Sequence, residues 1–291
     1  MKTNTVGVVT GAGSGMGLAC ATRMAAMVDV LLLADVNEGA VTDAAQHLSD
    51  GHGRATIDAV AIDITDESAL AALSLKVSQS GTLRAVAHAA GISPTMADWR
   101  RIFQVDLIGT AMLADMLLPL STAGTSIVCY ASMAPLLSQS PVDPTIDAVL
   151  DEPLQANFLD RVHAAVGPSV EDSGLAYFWA KRGVHRLAQR EAIRFGRQGA
   201  RVCSVSPGII DTPMGRQEGA ARTTNDMLVG VTPLGREGHP EEVAAVTSFL
   251  LSDEASYVNG IDVLVDGGTV AAVSRGALTS PRVDRVWDEF V

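Results

Sequence analysis

The chain has 291 residues, of which 47% are hydrophobic and 19% are charged. That composition excludes disorder as the dominant state, because disordered chains combine low hydrophobicity with high charge. The 21 Lys and Arg residues against 33 Asp and Glu residues give a net charge of −12, which argues against nucleic acid and against an anionic membrane surface as partners.

Neither a membrane anchor nor a metal site is expected. Residues 6–22 carry no charged side chain, but five glycines make them a poor apolar helix, and no later stretch reaches about 20 apolar residues. Cys20, Cys129 and Cys203 are too few and too scattered for a disulfide framework or a zinc site. The sequence predicts a soluble protein in a reducing, cytoplasmic setting.

Short β-branched runs alternate with longer Ala- and Leu-rich stretches along the chain. Strands are predicted at 6–10, 29–34, 57–62, 84–89, 126–131, 201–205 and 261–265. Helices are predicted at 16–27, 38–49, 67–79, 98–119, 175–196 and 240–251. Continuous apolar strands alternating with helices are typical of a parallel sheet covered on both faces. The pattern predicts one α/β domain over residues 1–291: a Rossmann-type, doubly wound parallel seven-stranded sheet.

Residues 135–173 interrupt this alternation, since a few loop residues would suffice there. Apolar residues from Ile146 to Val166 follow a helical period. The part 142–173 holds seven acids against one base, a net charge of −6. We predict a helical insertion that packs an apolar face on the body and pairs its acids with the basic face of helix 175–196.

The first strand ends in a glycine-rich turn, Thr10-Gly11-Ala12-Gly13-Ser14-Gly15-Met16-Gly17, and a helix follows. Such a turn demands backbone angles that a Cβ forbids, and a pyrophosphate must approach this backbone closely. The helix N-terminus adds free N–H groups and the positive end of its dipole. The predicted nucleotide-binding residues of this turn are Gly11, Ser14, Gly15, Met16 and Gly17.

A carboxylate follows each of the next two strands. Asp35 closes the second strand, 18 residues after Gly17, where a carboxylate accepts hydrogen bonds from an adenosine ribose and repels a 2′-phosphate. Val36 and Asn37 follow it, so that no neighbouring cation favours NADP. The sequence therefore predicts NAD as the cofactor, with Asp63 at the adenine edge.

Tyr177 and Lys181 lie four residues apart on a predicted helix, which puts both side chains on one face. A tyrosine with a pKa of about 10 is a poor acid–base catalyst at neutral pH, and a nearby positive charge lowers that pKa. Lys181 can supply this charge and reach a ribose hydroxyl. A surface lysine beside a core tyrosine is the alternative, but the combination with the glycine-rich turn favours a catalytic pair.

Together these motifs resemble the short-chain dehydrogenase/reductase family, of the type with a TGxxxGxG turn, over nearly the whole chain. The resemblance implies an NAD(H)-dependent oxidoreductase that interconverts a secondary alcohol and a ketone. It implies that Tyr177 is the general acid/base, that Ser132 holds the reacting oxygen, and that Lys181 binds the nicotinamide ribose and tunes Tyr177. The further cofactor-binding positions that it implies are Ile64, Ala89, Ala90, Gly91, Pro207, Gly208, Ile210 and Thr212.

Two positions depart from the family pattern. Where the family usually has an asparagine that helps to hold a water in the proton relay, this chain has Asp106. A carboxylate keeps the shape of the amide but adds charge, and if it is buried near Lys181 it can pair with the ammonium. We expect Asp106 to be a fourth catalytic residue in an altered relay. Where the family has an amide beside the cofactor, this chain has Ala89, so one polar contact is lost.

The 45 residues from Ser132 to Tyr177 are a longer separation than is usual in the family. With the C-terminal segment 270–291, they resemble the bacterial 3-alpha-hydroxysteroid dehydrogenase/carbonyl reductase subgroup. That resemblance implies an apolar cyclic or steroid-like substrate and a homodimer or homotetramer. The residues predicted to form the apolar wall of the substrate pocket are Met133, Leu136, Leu137, Pro168, Met214, Trp287 and Phe290. The alternative is that these side chains fill the core of the body.

Two other functions fit parts of the pattern. A non-enzymatic NAD-sensing protein would keep the fold, but it does not need Ser132, Tyr177 and Lys181 together. A sugar-nucleotide epimerase would have a differently spaced glycine turn and more chain after the seventh strand. His88 is predicted to be a packed, hydrogen-bonded core histidine, and Cys129 an inert buried thiol.

Overall fold

The fold is known from a computed structural model that describes residues 3–51, 54–138, 141–217 and 222–276; for Met214, Gln217 and residues 222–226 it describes the backbone only. In this part of the chain, seven parallel strands form one sheet in the order β3-β2-β1-β4-β5-β6-β7. The strands are β1 (Thr5–Thr10), β2 (Val30–Asp35), β3 (Thr56–Ala61), β4 (Thr82–His88), β5 (Ser126–Tyr130), β6 (Arg201–Pro207) and β7 (Asp262–Val265). The predicted doubly wound fold is confirmed, and its topological switch lies between β1 and β4, where such sheets bind ligands.

Helices cover both faces of the sheet. They are α1 (Gly15–Met24), α2 (Glu38–Asp50), α3 (Glu67–Ser80), α4 (Trp99–Phe103), α5 (Thr110–Leu117), α6 (Ala134–Leu137), α7 (Pro144–Leu150), α8 (Phe158–Val166), α9 (Ser173–Gly196), α10 (Pro213–Gln217), α11 (Arg222–Val231), α12 (Pro240–Leu251) and α13 (Thr269–Ser274). Successive strand residues point to opposite faces. Val8 therefore packs in the core shared with α3, α5 and α9, whereas Val9 packs in the core shared with α1, α2 and α12.

The helix predicted at 98–119 is confirmed as one helical stretch, Trp99–Leu120, but its hydrogen-bond pattern changes along its length. A π-helical segment, Gln104–Gly109, separates α4 from α5. The Thr110 hydroxyl donates to the main-chain oxygen of Asp106 at 2.7 Å within this segment. The stretch Trp99–Leu120 is long and apolar enough to cross a membrane, contrary to our expectation for the chain, but 61% of its most apolar window is buried inside the described fold. That burial is typical of a core helix.

The insertion forms α7 and α8, followed by a 3-10 turn at Pro168–Glu171. Leu150, Phe158 and Val162 are buried against the body, so the predicted apolar face exists. Two acids of the insertion, Asp147 and Asp151, contact arginines on the outer face of α9, as predicted. Asp147 accepts from Arg182 Nε at 2.7 Å and from Arg182 Nη2 at 2.9 Å.

The same two acids also contact the next arginine of α9. Arg186 Nη1 lies 3.0 Å from Asp147, and Arg186 Nη2 lies 2.5 Å from Asp151. Both arginines form bidentate, charge-assisted hydrogen bonds, and the side chains are partly buried. Such ion pairs are stronger than ordinary surface ion pairs.

Replacing Asp147 tests whether these ion pairs hold the insertion in place. We expect Asp147→Asn to lower the free energy of unfolding by about 1–2 kcal/mol, because a partly buried carboxylate between two guanidinium groups is lost. The measurement is urea unfolding followed by circular dichroism. Asp160→Asn is the control, because it removes an exposed acid from the same insertion. Equal stability of the two variants would contradict the prediction.

Candidate active site

The glycine-rich turn takes its shape from three glycines. Gly11 and Gly15 have positive φ angles of 65° and 53°, a region that other residues rarely adopt. A Cβ on Gly17 would lie 1.9 Å from the carbonyl oxygen of Gly11, so this contact between α1 and the end of β1 admits no side chain. α1 therefore begins directly over the turn, with its N-terminal N–H groups beside the space that a phosphate would occupy.

A cavity of about 290 Å³ lies above this turn, at the switch point of the sheet. Twelve of the predicted cofactor-binding residues line it. They are Gly11, Ser14, Gly15, Met16, Gly17, Asp35, Asp63, Ile64, Ala89, Ala90, Gly91 and Thr212. These features fit a dinucleotide. The glycine-rich turn leaves room for a pyrophosphate, the N-terminus of α1 offers N–H groups, and Asp35 places a carboxylate at the end of β2.

The Asp35 carboxylate is fixed by the backbone on either side of it. Its Oδ2 accepts from the N–H of Gly13 at 2.9 Å, and its Oδ1 accepts from the N–H of Asn37 at 2.9 Å. The first bond ties the end of β2 to the glycine-rich turn, so that the carboxylate and the phosphate cradle keep one relative position. Each carboxylate oxygen still has a free lone pair for a ribose hydroxyl.

Arg101 is a residue of this cavity that the sequence analysis missed. Its Nη2 lies 2.7 Å from Asp63 Oδ2, and its Nη1 donates to the Thr65 hydroxyl at 2.8 Å. Burial alone would raise the pKa of Asp63, but hydrogen bonds from Thr65 and Arg101 outweigh it and lower that pKa. No sequence signal marks Arg101, because the contact requires α4 to pack beside the end of β3.

Ser132 follows the end of β5, and Lys181 of α9 contacts the last residue of that strand. Ser132 is 8% exposed, and its hydroxyl accepts from the N–H of Ala134 at 3.1 Å. The Lys181 ammonium donates to the main-chain oxygen of Tyr130 at 3.2 Å and lies 5.5 Å from the centroid of the Tyr177 ring. A Cβ on Gly91 would lie 3.2 Å from Lys181 Nζ, which places the ammonium at the wall of the cavity.

Asp106 pairs with this lysine, as its position in the sequence led us to expect. Its Oδ1 lies 3.5 Å from Lys181 Nζ and accepts from the N–H of Ile92 at 2.9 Å. Burial raises the pKa of Asp106. Burial alone would lower the pKa of Lys181, but the Asp106 carboxylate reverses this effect, and the pKa of Lys181 is raised. The carboxylate and the ammonium thus form a close buried pair, with each group acting on the pKa of the other.

The stretch after β6 lies at the far end of the cavity. Thr212 is part of the lining and faces Gly15, whereas Pro207, Gly208 and Ile210 lie outside the lining. The N–H of Gly208 donates to Val265 at 2.9 Å. The N–H of Met133 donates to Pro207 at 3.1 Å, which links the cofactor side to the predicted substrate side.

Met133 and Leu137 belong to a small apolar cluster that is separate from the two main cores. The other members are Ile209, Leu228, Val270 and Val273. Leu228 of α11 and the residues of α13 were not predicted. The Met214 side chain and the residues Trp287 and Phe290 lie outside the described residues. The cluster brings α6, α11 and α13 together over the Ser132 end of the sheet.

His88 and Cys129 have the structural roles that the sequence predicts. His88 bonds to Thr10 Oγ1 at 2.7 Å and to Thr110 Oγ1 at 2.8 Å, and burial lowers its pKa to about 3. Burial raises the pKa of the Cys129 thiol to about 12. Within the described ranges, no group of three or more His, Cys, Asp or Glu side chains is arranged to hold a metal ion.

The chain matches known proteins over most of its length. Residues 5–141 match the family described as "short chain dehydrogenase", and residues 162–270 match "Enoyl-(Acyl carrier protein) reductase". It is 33% identical to the cis-4-hydroxycyclohexanecarboxylate dehydrogenase of Sinomonas cyclohexanicum, over 91% of this chain and 96% of that protein. It is 33% identical to the meso-2,3-butanediol dehydrogenase of Serratia marcescens, over 92% of this chain and 96% of that protein.

A solved structure of levodione reductase aligns with a TM-score of 0.71 and 26% identity, over 92% of this chain and 98% of that one. The chain therefore belongs to the short-chain dehydrogenase/reductase family, and it is an oxidoreductase that uses a nicotinamide cofactor.

A Cβ in the glycine-rich turn should weaken cofactor binding. We expect Gly17→Ala to raise the Kd for NADH at least about tenfold, because the turn must move away from α1 to admit the methyl group. The measurement is a fluorescence titration with NADH. Gly39→Ala on α2 is the control, since its nearest neighbour would be an ordinary contact at 3.5 Å from Asn37. An unchanged Kd for Gly17→Ala would show that the dinucleotide binds elsewhere.

Proposed function

We propose that the protein is an NAD(H)-dependent dehydrogenase/reductase of secondary alcohols and ketones, with an apolar cyclic or steroid-like substrate. The observation that carries the proposal is the Lys181 ammonium, which is buried beside the Tyr177 ring and behind the wall of a cavity that contains Asp35. The proposed acid–base group Tyr177, the Lys181 ammonium and the proposed nucleotide site thus lie next to one another.

The preference for NAD is inferred from Asp35. Its carboxylate would accept hydrogen bonds from the adenosine ribose and would repel the 2′-phosphate of NADP. Among the described residues that line the cavity, Arg101 is the cationic side chain, and it already forms an ion pair with Asp63. The turn from Gly11 to Gly17 would hold the pyrophosphate, and Thr212 would meet the nicotinamide end. The bound cofactor supplies hydride chemistry.

The proton path would run through this chain's own side chains. Tyr177 gives its phenolic proton to the oxygen of a ketone, or takes the proton of an alcohol. Ser132 holds that oxygen by a hydrogen bond. The Lys181 ammonium favours the phenolate of Tyr177 and binds the nicotinamide ribose. The fold therefore contributes orientation of the reactants together with a matched proton donor.

An apolar substrate is inferred from the cluster around Met133 and Leu137, which is built from aliphatic side chains and methionine. A relative named for a hydroxycyclohexanecarboxylate supports a cyclic substrate, and one named for butanediol supports secondary alcohols in general. The long insertion is the reason to include hydroxysteroids. The proposal includes a cytoplasmic location and a homodimer or homotetramer.

Replacing the phenol tests the reaction. NADH formation from NAD is measured with cyclohexanols, hydroxysteroids and small secondary alcohols or diols. We expect Tyr177→Phe to lower kcat by about 10²–10⁴-fold with the substrate that turns over, because general acid–base catalysis is lost. The Kd for NADH should change little. Tight NAD binding without turnover on any class, in the unaltered protein, would overturn the proposal and favour an NAD sensor.

Replacing Asp35 tests the cofactor preference. We expect Asp35→Asn to lower the ratio of kcat/KM with NAD to kcat/KM with NADP by about tenfold to a hundredfold, because charged hydrogen bonds to the ribose and the repulsion of a phosphate are both lost. Asp43→Asn, which removes an exposed acid of α2, controls for the change in net charge. A ratio that stays constant, or an initial preference for NADP, would contradict the assignment.

A further inference from the structure

A carboxylate–ammonium pair is buried directly behind the wall of the cofactor cavity. Asp106 Oδ1 lies 3.5 Å from Lys181 Nζ, and the two side chains are 0% and 6% exposed, respectively. Oδ1 also accepts from the N–H of Ile92 at 2.9 Å. Among the described residues, Oδ2 is a buried oxygen without a hydrogen-bond partner. An uncharged amide would fit the same space, so the charge at position 106 needs its own explanation.

Two histidines also act on Lys181, and both are neutral near neutral pH. Burial lowers the pKa of His88 on β4 to about 3. Burial also lowers the pKa of His185 on α9, and this effect outweighs the influence of Asp262, 3.6 Å from the ring. The other charged group acting on His185 is Arg182, which the insertion neutralises through Asp147.

The remaining titratable neighbours of Lys181 are Cys129 on β5 and Tyr177 on α9. Burial raises the pKa of Cys129 to about 12, so the thiol carries no charge over the working range of an enzyme. Among the described groups that act on Lys181, Asp106 is therefore the one whose carboxylate can offset the ammonium, from a distance of 3.5 Å. The phenol of Tyr177 stands next to a pair of nearly zero net charge rather than next to an isolated cation.

We propose that Asp106 is a positioning residue that acts on Tyr177 through Lys181: its carboxylate offsets the ammonium, so that Tyr177 keeps its proton to a higher pH than it would beside an amide. This inference rests on the acid–base role proposed for Tyr177.

The arrangement favours reduction of a carbonyl near neutral pH. In that direction the carbonyl carbon receives the hydride of NADH, and the carbonyl oxygen receives the phenolic proton of Tyr177. Alcohol, NAD and the tyrosine phenolate result, and the phenolate regains a proton from solvent. Oxidation of an alcohol needs the phenolate first, so its rate should rise only at a higher pH.

The chain permits a direct measurement, because it contains three tyrosines: Tyr130, Tyr177 and Tyr257. The titration of tyrosine to tyrosinate is followed by ultraviolet absorbance on the protein without cofactor. Tyr257, which is fully exposed, is replaced by phenylalanine in every sample. Burial raises the pKa of Tyr130 well above its ordinary value, so it titrates last. The transition that Tyr177→Phe removes belongs to Tyr177.

We expect Asp106→Asn to move the Tyr177 transition down by about one pH unit, as is typical for a nearby charge that is no longer offset. Asp106→Ser, which also removes the charge, should move it in the same direction. Circular dichroism and thermal unfolding show which variants are folded, and either folded variant decides the question. An unmoved or raised Tyr177 transition would overturn the proposal, because a merely structural role for Asp106 would not lower it.

The pH dependence of kcat/KM for alcohol oxidation is the second readout, and its rising limb should shift down by the same amount. The two measurements separate two failures. If no alcohol is turned over, the proposed function fails, whereas the tyrosinate titration still decides what Asp106 does. If turnover is found and neither the titration nor the rate profile moves, only the role of Asp106 fails.

Discussion

Burial of one ammonium group is the constraint on which the site depends. Lys181 is 5% exposed, and an unpaired charge at that depth would cost several kcal/mol. Three elements supply its surroundings: β5 gives the main-chain oxygen of Tyr130, the π-helical segment gives Asp106, and α9 gives the ring of Tyr177. None of these elements can shift relative to the others without leaving the ammonium uncompensated. The packing of α9 on the sheet therefore also determines the geometry of the site.

A second set of paired charges lies on the outer face of α9. Arg182 and Arg186 point outward, one turn apart, and the acids of α7 meet them. Two of the seven acids of the insertion, Asp147 and Asp151, thus complement the basic surface of α9. The insertion thus covers α9 along the face that lies away from Lys181, and it holds the helix from the outside while Asp106 holds it from within.

What the sequence predicts well is what depends on local periodicity and on backbone shape. The strands β1, β2 and β5 are buried on both faces, and Gly11, Gly15 and Gly17 stand where a Cβ is disfavoured or excluded. Both features can be read without knowing the fold. The π-helical segment around Asp106 could not be read, because the apolar period of residues 98–119 indicates a helix but not which hydrogen-bond pattern it has. Arg101 and Leu228 were missed for a related reason: each acquires its role from an element that is distant in the sequence.

Small residues at the end of β4 connect the two halves of the site. A Cβ on Gly91 would lie 2.8 Å from Asp106 Oδ1 and 3.2 Å from Lys181 Nζ, although Gly91 itself lines the cavity. The buried ion pair is thus separated from the cofactor space by a residue without a side chain. Ala89 and Ala90 continue this thin wall. Where the family resemblance leads us to expect an amide, Ala89 keeps this wall apolar, and charges act more strongly through an apolar wall than through water. The predicted nucleotide site and the buried ion pair therefore share one boundary, which residues 89–91 form.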